Sequence, residues 1–301
     1  MGVLDRAISL SLPVVPKPLV RLFSKPYIAG STIDEAISTV RDLADEGAMS
    51  TLDILGEFIS TDTEAEANTQ AYVELVQRIR ADQIPEANIS VKLSALGLLL
   101  REDVCLEHMR RLTAEVEAAK SFIRIDMEDS PCTDATLKIY RRLREEFGPT
   151  VGIVLQARLH RTADDIAALA QQPANFRLCK GIYLEPEEIA QTEFQPIRDA
   201  FVSQLEQMFL AKSYVGIATH DEWLVDRAVE LIERHQLKHH EYEFQMLLGV
   251  LPTLRRRVIA AGHRLRVYVP FGANWYAYSV RRLRENPEIA GHVLKGLFRR
   301  S

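Results

Sequence analysis

Three cysteines in 301 residues, Cys105, Cys132 and Cys179, are too few and too scattered for a disulfide framework. No Cys-x-x-Cys pair is present to seat zinc or run thiol exchange, so the chain reads as a protein of a reducing compartment, the cytoplasm. Basic residues are not in excess either. Lys and Arg total 37 against 42 Asp and Glu, a net charge of −5, and no strongly basic stretch stands out, which argues against a nucleic-acid partner. No apolar run approaches the length of a membrane span. Residues 1–27 carry Arg6, Lys17, Arg21 and Lys25 and are cut by Pro13, Pro16 and Pro18. They lack the clean apolar core and cleavage site of a secretion signal, and contact with a membrane surface stays open. Missing too are a Gly-x-Gly-x-x-Gly turn after any strand, a phosphate-gripping P-loop, a His-Glu-x-x-His helix and a Ser-His-Asp pattern.

What the chain does have is length and rhythm. At 47% hydrophobic and 26% charged, 301 residues can bury a large core without disulfide or metal staples. From Thr51 onward short β-prone runs alternate with amphipathic ones. The strands expected are 51–55, 89–93, 122–127, 152–156, 177–181, 214–219, 242–247 and 265–269. Between them lie helical stretches over 64–80, 103–119, 133–146, 164–171, 196–211, 222–234 and 251–261. Ser130-Pro131 and Gly148-Pro149 punctuate the third helix, and Gly262 caps the seventh. Runs such as Val151-Gly-Ile-Val-Leu155 suit strands buried on both faces. Eight β/α units in about 250 residues is the size of a TIM-type (β/α)8 barrel, with a doubly wound sheet as the alternative. The expected organisation is an N-terminal helical extension over residues 1–50, its clearest helix spanning 33–46, and an α/β barrel over 51–301.

In such a barrel the chemistry gathers where strands end. Those positions carry Asp53, Lys92, Asp126, Glu128, Gln156, Arg158, Arg177, Lys180, Thr219, His220, Gln245 and Tyr268. Charges set in apolar strands are expensive unless paired, which singles out Lys92, Asp126 and Arg177. They form either a functional cluster or an ion-pair network that only fills the barrel. Beyond Tyr268, a helix starting near Asn274 would place Tyr278, Arg281, Arg282 and Glu285 on one face. That face is either an anion clamp or a solvated, salt-bridged surface. His235, His239 and His240 have metal-like spacing but read as a solvated cluster at a helix end. Cys179 reads as a small core residue.

The segments Leu52-Asp-Ile-Leu-Gly-Glu57, Val91-Lys-Leu-Ser-Ala-Leu96, Ile125-Asp-Met-Glu128, Arg177-Leu-Cys-Lys-Gly-Ile-Tyr183, Ala218-Thr-His-Asp221, Glu243-Phe-Gln-Met-Leu247 and the closing Tyr278, Arg281, Arg282, Glu285 pattern resemble the proline dehydrogenase family, in its order. Ile182 and Cys179 stand where that family commonly has Ala and Val. The resemblance implies a distorted (β/α)8 barrel that oxidises L-proline to Δ1-pyrroline-5-carboxylate with FAD, by hydride transfer to flavin N5. It implies that Arg281 and Arg282 clamp the proline carboxylate with help from Lys92, that Glu285 holds the arginines, and that Tyr268, Tyr278 and Leu247 wall the ring. Arg177 would lie near flavin N5, with Asp126 beside Lys92. Met127, Gln156, Lys180, Gly181, Ile182, Thr219, His220 and Gln245 would line the cofactor. By the same resemblance a membrane quinone would take the electrons, through transient contact with the inner face of the membrane. A dehydrogenase for hydroxyproline or another cyclic imino acid is the near alternative; Tyr268 would crowd an extra ring hydroxyl. A Schiff-base aldolase built on Lys92 is the distant one.

Overall fold

The structure is a computed structural model and describes residues 24–56, 59–276 and 279. Eight parallel strands close on themselves in chain order. They are β1 (Met49–Ile54), β2 (Ala87–Val91), β3 (Ile123–Ile125), β4 (Val151–Gln156), β5 (Asn175–Cys179), β6 (Tyr214–Ala218), β7 (Tyr242–Leu247) and β8 (Leu265–Phe271). The last strand returns to the first over a register running from Met49 opposite Arg266 to Ile54 opposite Phe271. The barrel expected from the rhythm is therefore present. Helices α2 (Asp62–Ala81), α3 (Glu102–Ala118), α4 (Ser130–Phe147), α5 (Thr162–Leu169), α6 (Phe194–Leu210), α7 (Glu222–Arg234) and α8 (Pro252–Ala260) follow β1 to β7. One more, α1 (Ile33–Asp45), precedes β1 and packs over the seam between β1 and β8.

Local chemistry starts these elements where the sequence expects them. Thr32 with Glu35, and Thr61 with Glu64, form reciprocal capping boxes that satisfy the first amides of α1 and α2. Pro131 sits in the first turn of α4, where its missing N–H is no loss. Most strand bounds shift by one or two residues from expectation, and β2 starts and ends two residues early, which leaves Lys92 just past it. β5 begins and ends two residues early, because Gly181 adopts a φ of 94° that a ladder residue cannot hold and Lys180 has already left the sheet. β3 is only three residues long; the Asp126 amide still donates to the Val91 carbonyl at 2.8 Å, after which Met127 leaves the ladder.

The strands are buried on both faces, but the two faces differ in kind. Leu52, Ile89, Val91, Ile123, Ile125, Ile153, Phe176, Val215, Phe244 and Val267 alternate along them and lie in the apolar core beneath the helices. Each such side chain stabilises the fold by about 1.5–3 kcal/mol, so this jacket carries the barrel. The residues between them face the lumen and are largely polar. Arg177 on β5 reaches Ser90 on β2, and Arg124 on β3 reaches Asn175 on β5, bonds that only cross the inside of a barrel. Gly152 on β4 permits the second crossing: a Cβ there would lie 2.5 Å from Arg124 Nη1 and 2.6 Å from the Asn175 carbonyl.

Candidate active site

Lys92, Asp126, Arg177 and Tyr268 come from four elements and meet at the C-terminal mouth of the barrel. Arg177 Nη1 donates to Asp126 Oδ1 at 2.7 Å, and Ser90 Oγ donates to the same oxygen at 2.6 Å. The other carboxylate oxygen, Oδ2, accepts from the Tyr268 hydroxyl at 2.7 Å. Lys92 Nζ lies 3.1 Å from that hydroxyl and 3.6 Å from Asp126 Oδ2. The Tyr268 ring stands between the two cations, 5.3 Å from the Arg177 guanidinium carbon and 5.8 Å from Lys92 Nζ.

Burial pushes both acids of the cluster upward, and their partners decide the outcome. It pushes the Asp126 carboxyl up, and Arg177, Lys92 and the hydroxyls of Ser90 and Tyr268 more than offset that, holding it below its ordinary range. Burial and then the Asp126 charge push the Tyr268 phenol well up, so it stays a hydroxyl and a donor. A residue given no role from the sequence completes the cluster. Asp53, 1% exposed at the end of β1, takes Lys92 Nζ on Oδ2 at 3.0 Å. Its signal was its place among the charged strand ends; what distinguishes it is pairing with Lys92, which no spacing reveals.

The other expected site residues surround this cluster to different degrees. Leu247 ends β7 opposite Tyr268, and its amide donates to His220 Nε2 at 2.9 Å, fixing the imidazole. Thr219 accepts the Asp221 amide on Oγ1 at 3.1 Å, and Lys180 Nζ donates to Asp221 Oδ2 at 3.0 Å. Met127 is buried just past β3, and Ile182 is 40% exposed on the loop after β5. Gln245 turns inward: its amide oxygen accepts from Arg177 Nε and its nitrogen donates to Glu243 at 2.5 Å. Tyr278, Arg281, Arg282 and Glu285 lie outside the described residues, as does Glu57. Trp275 and Tyr276 do begin a helical turn, and Ser279 Oγ donates to the Trp275 carbonyl at 2.6 Å.

Two features of the mouth suit a bound planar group with hydrogen-bonding edges. Gln156, 2% exposed, donates from Nε2 to the Glu128 carbonyl at 2.7 Å, while its Oε1 has no partner among the described residues. Beside it Gly181 leaves a cradle, since a Cβ there would lie 2.7 Å from that Oε1 and 2.8 Å from Arg158 Cδ. Arg158 ties down the loop above by donating to the Tyr183 carbonyl at 2.5 Å. The rim carries apolar side chains: Leu99 and Leu184, on turns or loops that follow strands, and Phe194, at the start of α6, are 63%, 97% and 58% exposed. A cleft of about 710 Å³ opens at the opposite end of the barrel, along Asn175, Tyr214, His235 and Glu241, and none of the mouth cluster lines it. Among the described residues no group of three or more His, Cys, Asp or Glu is placed to hold a metal. His235 Nε2 instead lies 2.9 Å from Glu206, and the Cys179 thiol is pushed up to about 11 by burial.

Comparison with known proteins agrees with the geometry. A family model described as proline dehydrogenase matches residues 36–295. Proline dehydrogenase 1 of Bacillus subtilis (strain 168) is 35% identical over 280 residues, covering 93% of this chain and 92% of that protein. The proline dehydrogenase of Deinococcus radiodurans is 35% identical over 277 residues, covering 91% and 89%. In fold, the chain superposes on proline utilization A from Bdellovibrio bacteriovorus, inactivated by N-propargylglycine, with a TM-score of 0.82 at 24% identity. That match covers 88% of this chain and 32% of the other, so this chain spans about a third of it.

Proposed function

This chain belongs to the proline dehydrogenase family, and from that membership we propose that it oxidises L-proline to Δ1-pyrroline-5-carboxylate with FAD as its cofactor. The observation that carries the reading is the cluster of Lys92, Tyr268, Asp126 and Arg177 at the barrel mouth. When bound, FAD supplies a hydride acceptor at N5. Everything else is the work of this chain's residues. Loss of hydride from the carbon beside the ring nitrogen, and of the proton on that nitrogen, leaves a C=N bond. That demands a ring held at one distance and angle, which is a positioning task.

Lys92 carries positive charge toward the substrate carboxylate, joined by Arg281 and Arg282. Glu285 holds those arginines, and Tyr268, Tyr278 and Leu247 wall the apolar ring. Arg177, kept in place by Asp126 and Gln245, supplies fixed positive charge beside the cofactor. Gln156 offers its unpartnered oxygen to the flavin edge, and Gly181 leaves room for it. Met127, Lys180, Ile182, Thr219, His220 and Gln245 complete the cofactor's surroundings. We assign catalysis to residues 51–301, with the 1–50 segment bracing the barrel through α1. The apolar side chains on the rim support electron delivery to a quinone at a membrane surface from the cytoplasmic side, although no helix among the described residues is long and apolar enough to cross a membrane.

Lys92 itself speaks against aldolase chemistry. Its Nζ is held by Asp53 at 3.0 Å and lies 3.6 Å from Asp126, an ion-paired setting that fits holding a carboxylate rather than attacking a carbonyl. Purified protein should be yellow and should bleach when L-proline is added anaerobically. A flavin that stays oxidised would sink the reading. Arg281→Met should raise the KM for proline by about tenfold or more with flavin content unchanged, and unaltered kinetics would remove the carboxylate clamp.

A further inference from the structure

Behind the mouth, helix α2 sends a hydroxyl over the end of β1. Tyr72 is 1% exposed, and its ring fills core space that a phenylalanine would fill as well. The hydroxyl is another matter. It accepts the Ile54 amide at 3.1 Å, and its single proton faces Asp53 Oδ1 at 3.1 Å, with the Ile54 carbonyl further off at 3.4 Å. The carboxylate is the nearer and the charged acceptor, so it takes the stronger bond. Burial, followed by the Asp53 charge, pushes the Tyr72 phenol well up and keeps it a donor. Asp53 then presents its second oxygen to Lys92 at 3.0 Å. A continuous chain thus runs from a helix outside the barrel to the ammonium in its mouth.

Lys92 stands between two acids, bonded to Asp53 and 3.6 Å from Asp126 Oδ2. Asp126 is already engaged by Arg177, Ser90 and Tyr268. If the Asp53 carboxylate turned away, the ammonium would fall toward Asp126. That would compete with the Tyr268 hydroxyl and withdraw positive charge from the substrate. A fixed Asp53 helps to keep the lysine between the two, and Tyr72 fixes it through the bond to Oδ1.

We propose that Tyr72 is a positioning residue that acts through Asp53 to hold the Lys92 ammonium where it recognises the substrate carboxylate. The proposal rests on the proline-oxidising reading and deepens it. In the holoenzyme, Tyr72→Phe should raise the KM for L-proline about fivefold while kcat changes less than twofold. In a Lys92→Met background the same substitution should leave kcat/KM unchanged, because the residue it acts through is gone. An unchanged KM, or an equal loss in both backgrounds, would overturn the proposal; a merely structural hydroxyl would give that equal loss. A second measurement needs no turnover. Acetylation of Lys92 by acetic anhydride, read by peptide mass spectrometry against exposed Lys138, should quicken several-fold in Tyr72→Phe and more in Asp53→Asn. Identical ratios in all three proteins would reject it. Wild-type protein that fails to oxidise proline would defeat the functional reading alone, and the labelling would still decide Tyr72. Should Tyr72→Phe yield no folded holoenzyme, Asp53→Asn carries the same two comparisons.

Discussion

The mouth and the base of this barrel are made of the same residue types and do different work. At the base, Glu243 accepts Arg266 Nε at 2.7 Å and the Tyr214 hydroxyl at 2.7 Å. Arg266 Nη1 ends on backbone, at the Ser50 carbonyl (2.8 Å) and the Glu86 carbonyl (2.6 Å), and Nη2 lies 3.4 Å from Met49 Sδ. Arg124 Nη1 ends on the Ile153 and Asn175 carbonyls, at 3.2 and 2.7 Å, while Nη2 reaches the Asn175 side chain. At the mouth the cations face carboxylates and hydroxyls on side chains, and a buried amide oxygen of Gln156 is left over. Backbone carbonyls cannot move, so the base is a brace. Side chains can rearrange around a ligand, which suits the mouth to the proposed site. Gln245 joins the two, bonded to Arg177 on one side and Glu243 on the other.

Breaking the base should cost the most stability. Glu243→Gln leaves Arg266 buried beside a neutral amide, and a loss of about 3–5 kcal/mol in chemical denaturation is expected. Turnover per folded molecule should hold within a few-fold. A loss no larger than that of a mouth variant would erase the distinction. Tyr268→Phe at the mouth should reverse the pattern: kcat/KM for proline falls about tenfold, while stability changes by less than about 1.5 kcal/mol. Equal damage to stability and activity would mean the mouth is also a brace.

The smallest effect concerns acid. Burial pushes the Glu243 carboxyl up, and Arg266 outweighs it with the Tyr214 and Gln245 bonds, bringing it from 4.5 to about 2. A depressed carboxylate stabilises the fold fully above its unfolded value and loses that contribution as pH falls toward the folded one. Between pH 5 and 4 the loss should be about 0.7 kcal/mol, and it should vanish in Glu243→Gln. An unchanged slope in the variant would assign the acid sensitivity elsewhere, Asp126 being another depressed carboxyl inside the barrel.

The comparison also marks how far the sequence could be read. Periodicity located the strands and helices, because alternation and amphipathic spacing are local properties; β7 and α7 match residue for residue. The β5 shift escaped it, since nothing in Arg177-Leu-Cys-Lys-Gly says that the glycine turns at a φ of 94°. Lys92, Asp126 and Arg177 were legible as charges set in apolar strands. Asp53 was legible as a strand-end charge, but not as Lys92's partner. Tyr72 was hidden altogether, as one more aromatic on the buried face of a helix.

By itself, then, the sequence determined the barrel, its family and the residues near its mouth, because hydrophobic period, punctuation and ordered motifs are written along the chain. The tertiary structure alone decided which charges meet. Lys92 lies 39 residues from Asp53 and 176 from Tyr268. Only closing eight strands brings such groups within hydrogen-bonding distance, and that same closure separates a braced base from a mouth able to receive a ligand.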